Sequence, residues 1–345
     1  MRALVVGLGG IGQRHVRNLR ALLGTGVEID ACRVRRQSPV LTEQFEVQQG
    51  SDLEATYGLR SFDNLEEALA RRPSMAFICN PSGLHLEAAM AAAEAGCHLF
   101  IEKPLSASWA GVDALANLVE QRGLVALVGY QMRFHPCLQK LRTLLQQQRI
   151  GPVLAVKAEI GEYLPGWHSY EDYRAMYASK RALGGGVVLS QIHEFDYLYW
   201  LFGLPRRVFA LGGHLSNLEI DVEDVASILM ECVVDGRAIP VHLHQDYLQR
   251  PPARTCKVVG DQGTIVTDFA ALTVQVFDGA NEPADAYSFK GFERNEMFLD
   301  EVRHFLACVR GEQQPLVPVR DGAQSLRMAL AARESMETGR AVQLA

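Results

Sequence analysis

The chain has 345 residues, 48% of them hydrophobic and 21% charged, with a net charge of −6. That length supports two hydrophobic cores, and the acidic balance excludes a general attraction to nucleic acid or to an anionic membrane surface. Seven cysteines, odd in number and never spaced as Cys-x-x-Cys, argue against a disulfide framework or a zinc knuckle and point to the cytoplasm.

Residues 3–6 form a short apolar run, read as a buried strand, and Gly7-Leu8-Gly9-Gly10-Ile11-Gly12 follows at once. Gly7 suits a tight strand-to-helix turn, Gly9 lets backbone approach a pyrophosphate, and Gly12 lets the helix pack against the strand. The helix N-terminus from Ile11 onward offers free N–H groups to phosphate. Further strands are expected at 29–34, 75–79, 98–101 and 125–128, alternating with helices at 12–23, 65–70, 84–95 and 108–121. Asp63, Ser82 and Ser106 or Ser108 are available as helix caps. This alternation predicts a doubly wound parallel sheet over residues 1–128, a dinucleotide-binding Rossmann domain.

From 129 to 345 the pattern changes to an α+β domain with a large, mostly antiparallel open sheet. A helix at 136–148 precedes strands at 153–162, 208–212, 225–234, 238–249, 255–259 and 272–277. Asp235-Gly236 and Gly260-Asp261-Gln262-Gly263 mark hairpins, and helices at 295–309 and 322–337 close the chain. The open sheet face is a natural seat for a second subunit. No run of about 18 apolar residues spans a bilayer, and the glycine-punctuated N-terminus lacks a signal-peptide cleavage pattern.

Several segments in one order make the chain similar to the glucose-fructose oxidoreductase, inositol dehydrogenase and rhizopine catabolism (Gfo/Idh/MocA) family. They are the glycine fingerprint, Asn80-Pro81-Ser82-Gly83-Leu84-His85, Glu102-Lys103-Pro104, Gly129-Tyr130-Gln131-Met132-Arg133-Phe134, and Gly184-Gly185-Gly186 leading to His193-Glu194-Phe195-Asp196. The resemblance covers essentially the whole chain. It implies a nicotinamide-dependent oxidoreductase acting on a sugar, sugar acid or nucleotide sugar, assembled as a homodimer or homotetramer.

Within that resemblance Lys103 polarises the reacting oxygen, with a cis bond before Pro104, and His193 relays the proton, its ordinary pKa near 6.5 suiting exchange at neutral pH. The family's usual aspartate about one turn before this histidine is replaced by Ser190. Serine cannot carry a negative charge, so it neither raises the pKa of His193 nor serves as a base. Asn80, Pro81, His85 and Glu102 shape the nicotinamide side. Arg133, Trp167, His168 and Tyr173, with Ser190, Lys103 and His193, are expected to hold substrate, because aromatic rings and cations suit a sugar face and its acidic groups. Asp196 is more naturally an anchor for its helix.

Cofactor choice depends on the end of the second strand, which reads Arg33-Val34-Arg35-Arg36-Gln37. Arg35 and Arg36 suit a 2′-phosphate, so NADP is favoured over NAD. Asp30 argues the other way but falls inside the expected strand. His242 and His244 share a strand face without a third ligand, so no metal site is expected. Two alternatives remain open: a dinucleotide-binding sensor without chemistry, which Ser190 keeps in view, and a glycosidase that oxidises its sugar transiently.

Overall fold

The computed structural model describes residues 1–33, 38–42, 45–279 and 281–344. In the N-terminal half, strands β1 (Arg2–Val6), β2 (Glu28–Cys32), β3 (Arg60–Phe62), β4 (Met75–Ile78), β5 (His98–Glu102) and β6 (Ala126–Gly129) form one sheet in the order β3-β2-β1-β4-β5-β6. Every pair is parallel. The strand order reverses at β1 and β4, which opens a crevice at their C-terminal ends. Helices α1 (Gly10–Leu23), α2 (Leu53–Tyr57), α3 (Leu65–Ala70), α4 (His85–Glu94) and α5 (Val112–Gln121) supply the crossovers. Because helices cover both faces, β4 and β6 are buried at every position.

The expected caps are not the ones used. Asn64 rather than Asp63 caps α3, its side chain accepting from Glu66 N, while Leu84 and Gly111 precede α4 and α5 with no side-chain cap. Neither α2 nor β3 was expected. The first is five residues long, started by Asp52 accepting from Ala55 N, and the second is a three-residue edge strand, too short for a periodic signal.

The second half is built on a nine-stranded sheet. Its strands are β7 (Val153–Gly161), β8 (Arg207–Gly213), β9 (Val225–Val234), β10 (Arg237–Asp246), β11 (Ala253–Gly260), β12 (Gly263–Asp268), β13 (Thr273–Phe277), β14 (Asp285–Ser288) and β15 (Val342–Gln343), in the order β14-β13-β12-β11-β7-β10-β9-β8-β15. Only β7 and β10 pair in parallel. Asp235 and Gly236, with φ of 48° and 77°, make the tight turn between β9 and β10, as the Asp-Gly pair predicts.

Helices α6 (Pro136–Gln146), α7 (Val187–Ser190), α8 (His193–Phe202), α9 (Arg294–Val309) and α10 (Val319–Thr338) complete the chain. Helix α8 packs on β7 and β9, α6 on β12 and β13, and α10 on β8, so one sheet face is covered. Alternation along β9 follows: Ala226, Ile228, Met230 and Cys232 are buried while Leu229 points outward. Helix α9 returns to pack against α1, joining the two halves beside the crevice. All seven cysteines are buried and free. Among the described residues no helix is long and apolar enough to cross a membrane, and no group of three potential metal ligands occurs.

Candidate active site

The glycine loop behaves as a physical template for a dinucleotide. Gly7 has φ +95°, and a Cβ there would lie 2.8 Å from Asn80 N, while a Cβ on Gly12 would sit 2.0 Å from Gly7 O. Gly9 has open space beside it and is the N-cap of α1, with no side chain satisfying the first helical N–H groups. Those unmet donors and the helix dipole fit the pyrophosphate of a nicotinamide dinucleotide. Gly10 is roofed: a Cβ would meet the Phe45 ring at 2.8 Å and the Tyr170 hydroxyl at 3.0 Å.

Lys103 follows directly on β5, two strands from the glycine loop, and the Lys103–Pro104 peptide is cis. Two loops at the crevice are tied together by His85, whose Nδ1 lies 2.7 Å from Pro104 O and whose Nε2 lies 2.7 Å from Asn80 O. Glu102 Oε1 is 2.6 Å from His15 Nε2, and both side chains are almost wholly buried. The link fixes the lysine-bearing strand end to the helix that starts at the glycine loop. Behind it lies Glu301, fully buried, with neither carboxyl oxygen in a hydrogen bond among the described residues. Burial pushes its pKa well up, and the Glu102 carboxylate adds to the shift.

The Lys103 ammonium donates to Ser190 O at 2.9 Å and keeps its other hydrogens for a ligand. Ser190 and His193 do not share one helix: α7 stops at Ser190, Gln191 (φ −100°, ψ 35°) breaks the run, and α8 begins at His193. This break turns the Ser190 carbonyl to the lysine. The His193 ring is buried, its Nε2 lies 3.0 Å from the Gln131 amide, and its Nδ1 has no partner. Burial first, then the charges of Lys103, Arg254 and Arg294, hold this imidazole well below its ordinary pKa, so it is neutral at pH 7.

Arg133, expected at the substrate, is engaged within the protein. Its side chain is 2% exposed, Nε and Nη2 donate to Asp196 at 2.9 and 2.7 Å, and Nη2 also donates to Asp321 at 2.7 Å. The guanidinium is consumed inside the protein, clamping α8 and α10 to the loop after β6. Asp196, which also accepts from Ser325 Oγ at 3.2 Å, is the anchor expected of it.

The 163–181 segment is divided between two tasks. Trp167 packs edge-on against Tyr247, 5.3 Å between ring centroids, and its buried Nε1 has no partner. His168 instead lies at the glycine loop: it stacks on Tyr170 at 5.0 Å, faces Phe45 at 6.1 Å and pairs with Glu171 at 2.7 Å. Its place is over the dinucleotide cradle rather than at the reacting centre. Tyr173 accepts from Glu219 N at 3.3 Å on the rim. Arg35 and Arg36 lie outside the described residues. Asp30 lies mid-strand, 3.5 Å from Arg2 and 3.7 Å from Arg71, at a distance from the strand end where a ribose would bind.

Sequence reading missed Gln131, Phe45, Arg254 and Arg294. The first stands inside a quoted motif, but the others carry no local pattern, since only the fold brings them to the crevice.

This arrangement is that of a dinucleotide-dependent oxidoreductase. The family profile described as the oxidoreductase family, NAD-binding Rossmann fold, matches residues 1–130, and that of the C-terminal alpha/beta domain matches residues 142–344. The chain belongs to this Gfo/Idh/MocA family and is an NAD(P)-linked oxidoreductase of it. It is 27% identical to the myo-inositol 2-dehydrogenase of Thermotoga maritima, covering 100% of this chain and 98% of that protein. It is 23% identical to the UDP-N-acetylglucosamine 3-dehydrogenase of Acidithiobacillus ferrooxidans, covering 98% and 97%. The WlbA dehydrogenase of Bordetella pertussis, solved with NADH and UDP-GlcNAcA, superposes with a TM-score of 0.80 at 23% identity, covering 100% and 99%.

Proposed function

We propose that the protein moves a hydride between a nicotinamide cofactor and a CH–OH carbon of a sugar, sugar acid or nucleotide sugar, as its dehydrogenase relatives' names suggest. The observation that carries this reading is a Lys103 ammonium and a neutral His193 converging on one crevice beside the glycine loop. In the oxidation direction the substrate hydroxyl gives its proton to His193 Nδ1. With the Gln131 amide turned so that its oxygen, rather than the nitrogen now 3.0 Å from the ring, faces His193, it accepts from Nε2–H and leaves the Nδ1 lone pair free. Lys103 stabilises the alkoxide character on the same oxygen as the carbonyl forms. The bound nicotinamide supplies the hydride acceptor, or the donor in reverse.

Trp167 Nε1, buried and without a partner among the described residues, suits a hydroxyl of a sugar. NADP is the preferred cofactor, on the basic Arg33-Val34-Arg35-Arg36 run and the absence of Asp30 from the strand end. The protein works in the cytoplasm as a homo-oligomer joined through the open sheet face, where Leu154, Leu211 and Leu229 are 39%, 62% and 49% exposed. Asn80, Pro81, His85 and Glu102 frame the nicotinamide end.

Fluorescence titration with NADPH and NADH, followed by turnover assays of Lys103→Met on sugars and nucleotide sugars, tests the reading. Retained dinucleotide binding with abolished turnover is expected. Turnover in the variant, or no binding of either dinucleotide to the parent, overturns it.

A further inference from the structure

Three cations act on the neutral His193: Lys103, Arg254 and Arg294. Arg254 rises from β11, and its Nε donates to Glu194 Oε1 at 2.7 Å, the residue next to His193 on α8. Its Nη2 is buried, with no partner among the described residues. Arg294 opens α9, one residue before Asn295, which bonds Arg14 and Asn18 of α1 at 3.1 and 2.9 Å. It therefore opens the end of α9 that meets the cofactor-binding helix α1. Among the described residues Arg294 has no hydrogen bond or ion pair, although the nearby protein and the Arg254 charge both disfavour its charged form.

The opposing charges do not cancel these cations. Glu194 is bound to Arg254, and Glu162 acts on both arginines from a distance without a direct ion pair. His135 faces Arg254 and is held down to about 4, by burial first and then by that charge, so it is neutral as well. Glu102 adjoins Lys103, and Glu194 and Glu162 act on the arginines, so the opening left for a ligand is at Arg254 Nη2, which has no partner among the described residues. A buried guanidinium nitrogen without a partner is costly unless a ligand completes it, and the exposed Arg294 is a second cation available to the same ligand.

We propose that the substrate is an anion, and that an oxyanion on its sugar, a carboxylate or a phosphate oxygen, is held by Arg254 and Arg294 beside the carbon that reacts at His193. This rests on the oxidoreductase reading and narrows it to acidic substrates. Guanidinium groups accept an oxyanion through two parallel N–H donors, and a neutral polyol leaves the Arg254 Nη2 and the Arg294 group as they stand. The carboxylate then fixes which hydroxyl meets Lys103.

The test is calorimetric binding to the protein loaded with reduced dinucleotide, using a hexuronate and the matching hexose, each free and as its uridine diphosphate ester. The acidic partner of a pair should bind about tenfold more tightly, and Arg294→Gln should reduce that ratio to about twofold. Arg294 lies on an exposed first helical turn, so the fold tolerates the change. The double variant Arg254→Gln/Glu194→Gln removes the second guanidinium without stranding a buried carboxylate. Discrimination by the uronate group assigns a carboxylate site. Discrimination by the diphosphate alone, lost in Arg294→Gln, assigns a phosphate site. Equal binding of all four, no binding of any, or a preference untouched by both variants overturns the proposal while leaving the oxidoreductase reading standing. Failure to bind the dinucleotide overturns that reading itself.

Discussion

Replacing Arg133 by methionine separates a scaffold from a ligand. Arg133 has 2% of its side chain exposed, and its two nitrogens reach Asp196 at 2.9 and 2.7 Å and Asp321 at 2.7 Å. Asp196 is wholly buried, so the change strands a carboxylate with only the Ser325 hydroxyl against it. Breaking one side of a buried ion pair costs about 3–5 kcal/mol. With about 2.1 cal/mol/K of unfolding entropy per residue, 345 residues melting as one unit give ~0.7 kcal/mol per degree, and the expected fall in Tm is about 4–7 °C. The penalty depends on pH. Burial raises the Asp196 pKa even with Arg133 present, and loss of the cation raises it further. A carboxyl whose folded pKa is raised favours the fold while protonated, and that contribution is lost as pH rises through the folded value. Scanning calorimetry should therefore find a smaller deficit near pH 5 than near pH 8. The double variant Arg133→Met/Asp196→Asn should recover part of it. An unchanged Tm together with a tenfold higher KM would refute the scaffold role and return Arg133 to the substrate.

Three other outcomes are expected. Because burial and nearby cations depress His193, kcat/KM for oxidation should hold without a fall as pH drops from 8 to 6, and His193→Asn should lose about 10²–10⁴ of the rate; a limb at the ordinary imidazole pKa contradicts this. Burial pushes the Glu301 pKa well up, so its stabilising contribution is present below the raised pKa and lost above it. Glu301→Gln should preserve the Tm at pH 7 and flatten the alkaline decline in urea titrations, whereas a large loss at pH 7 means that it is ionised. Tyr170→Ala removes one half of the roof over Gly10, and stopped-flow displacement should show faster dinucleotide release with the Tm nearly unchanged; an unaltered release rate rejects the roof.

Legibility differed with the range of the signal. The first strands and the glycine loop were readable because a parallel strand buried on both faces is a continuous apolar run, and because Gly12 answers a local backbone contact, the carbonyl of Gly7. Lys103 and His193 were readable from motif order. Arg133 was read toward the substrate because its type fits two roles, and only the buried partner Asp196, on a helix 63 residues later, favours the scaffold. His168 was placed at the substrate for the same reason. Its stacking on Tyr170 beside Phe45 is a contact between distant segments, and no local periodicity records that. Arg254 and Arg294 are invisible in sequence since neither lies in a motif.

Ser190, the residue that departs from the family pattern, is where the chemistry adapts. The Lys103 ammonium is oriented by the Ser190 backbone oxygen at 2.9 Å, and a carbonyl is supplied by any residue type. Loss of a carboxylate at this position therefore leaves the lysine in place. What it changes is the charge balance at His193: without an anion there, the surrounding cations keep the imidazole neutral and ready to accept a proton. An aspartate would have raised the basicity of His193 while reducing the positive charge of the crevice. In the mechanism we propose, serine leaves that positive charge for the incoming substrate, and His193 is kept able to accept a proton by burial and by cations rather than by a paired carboxylate.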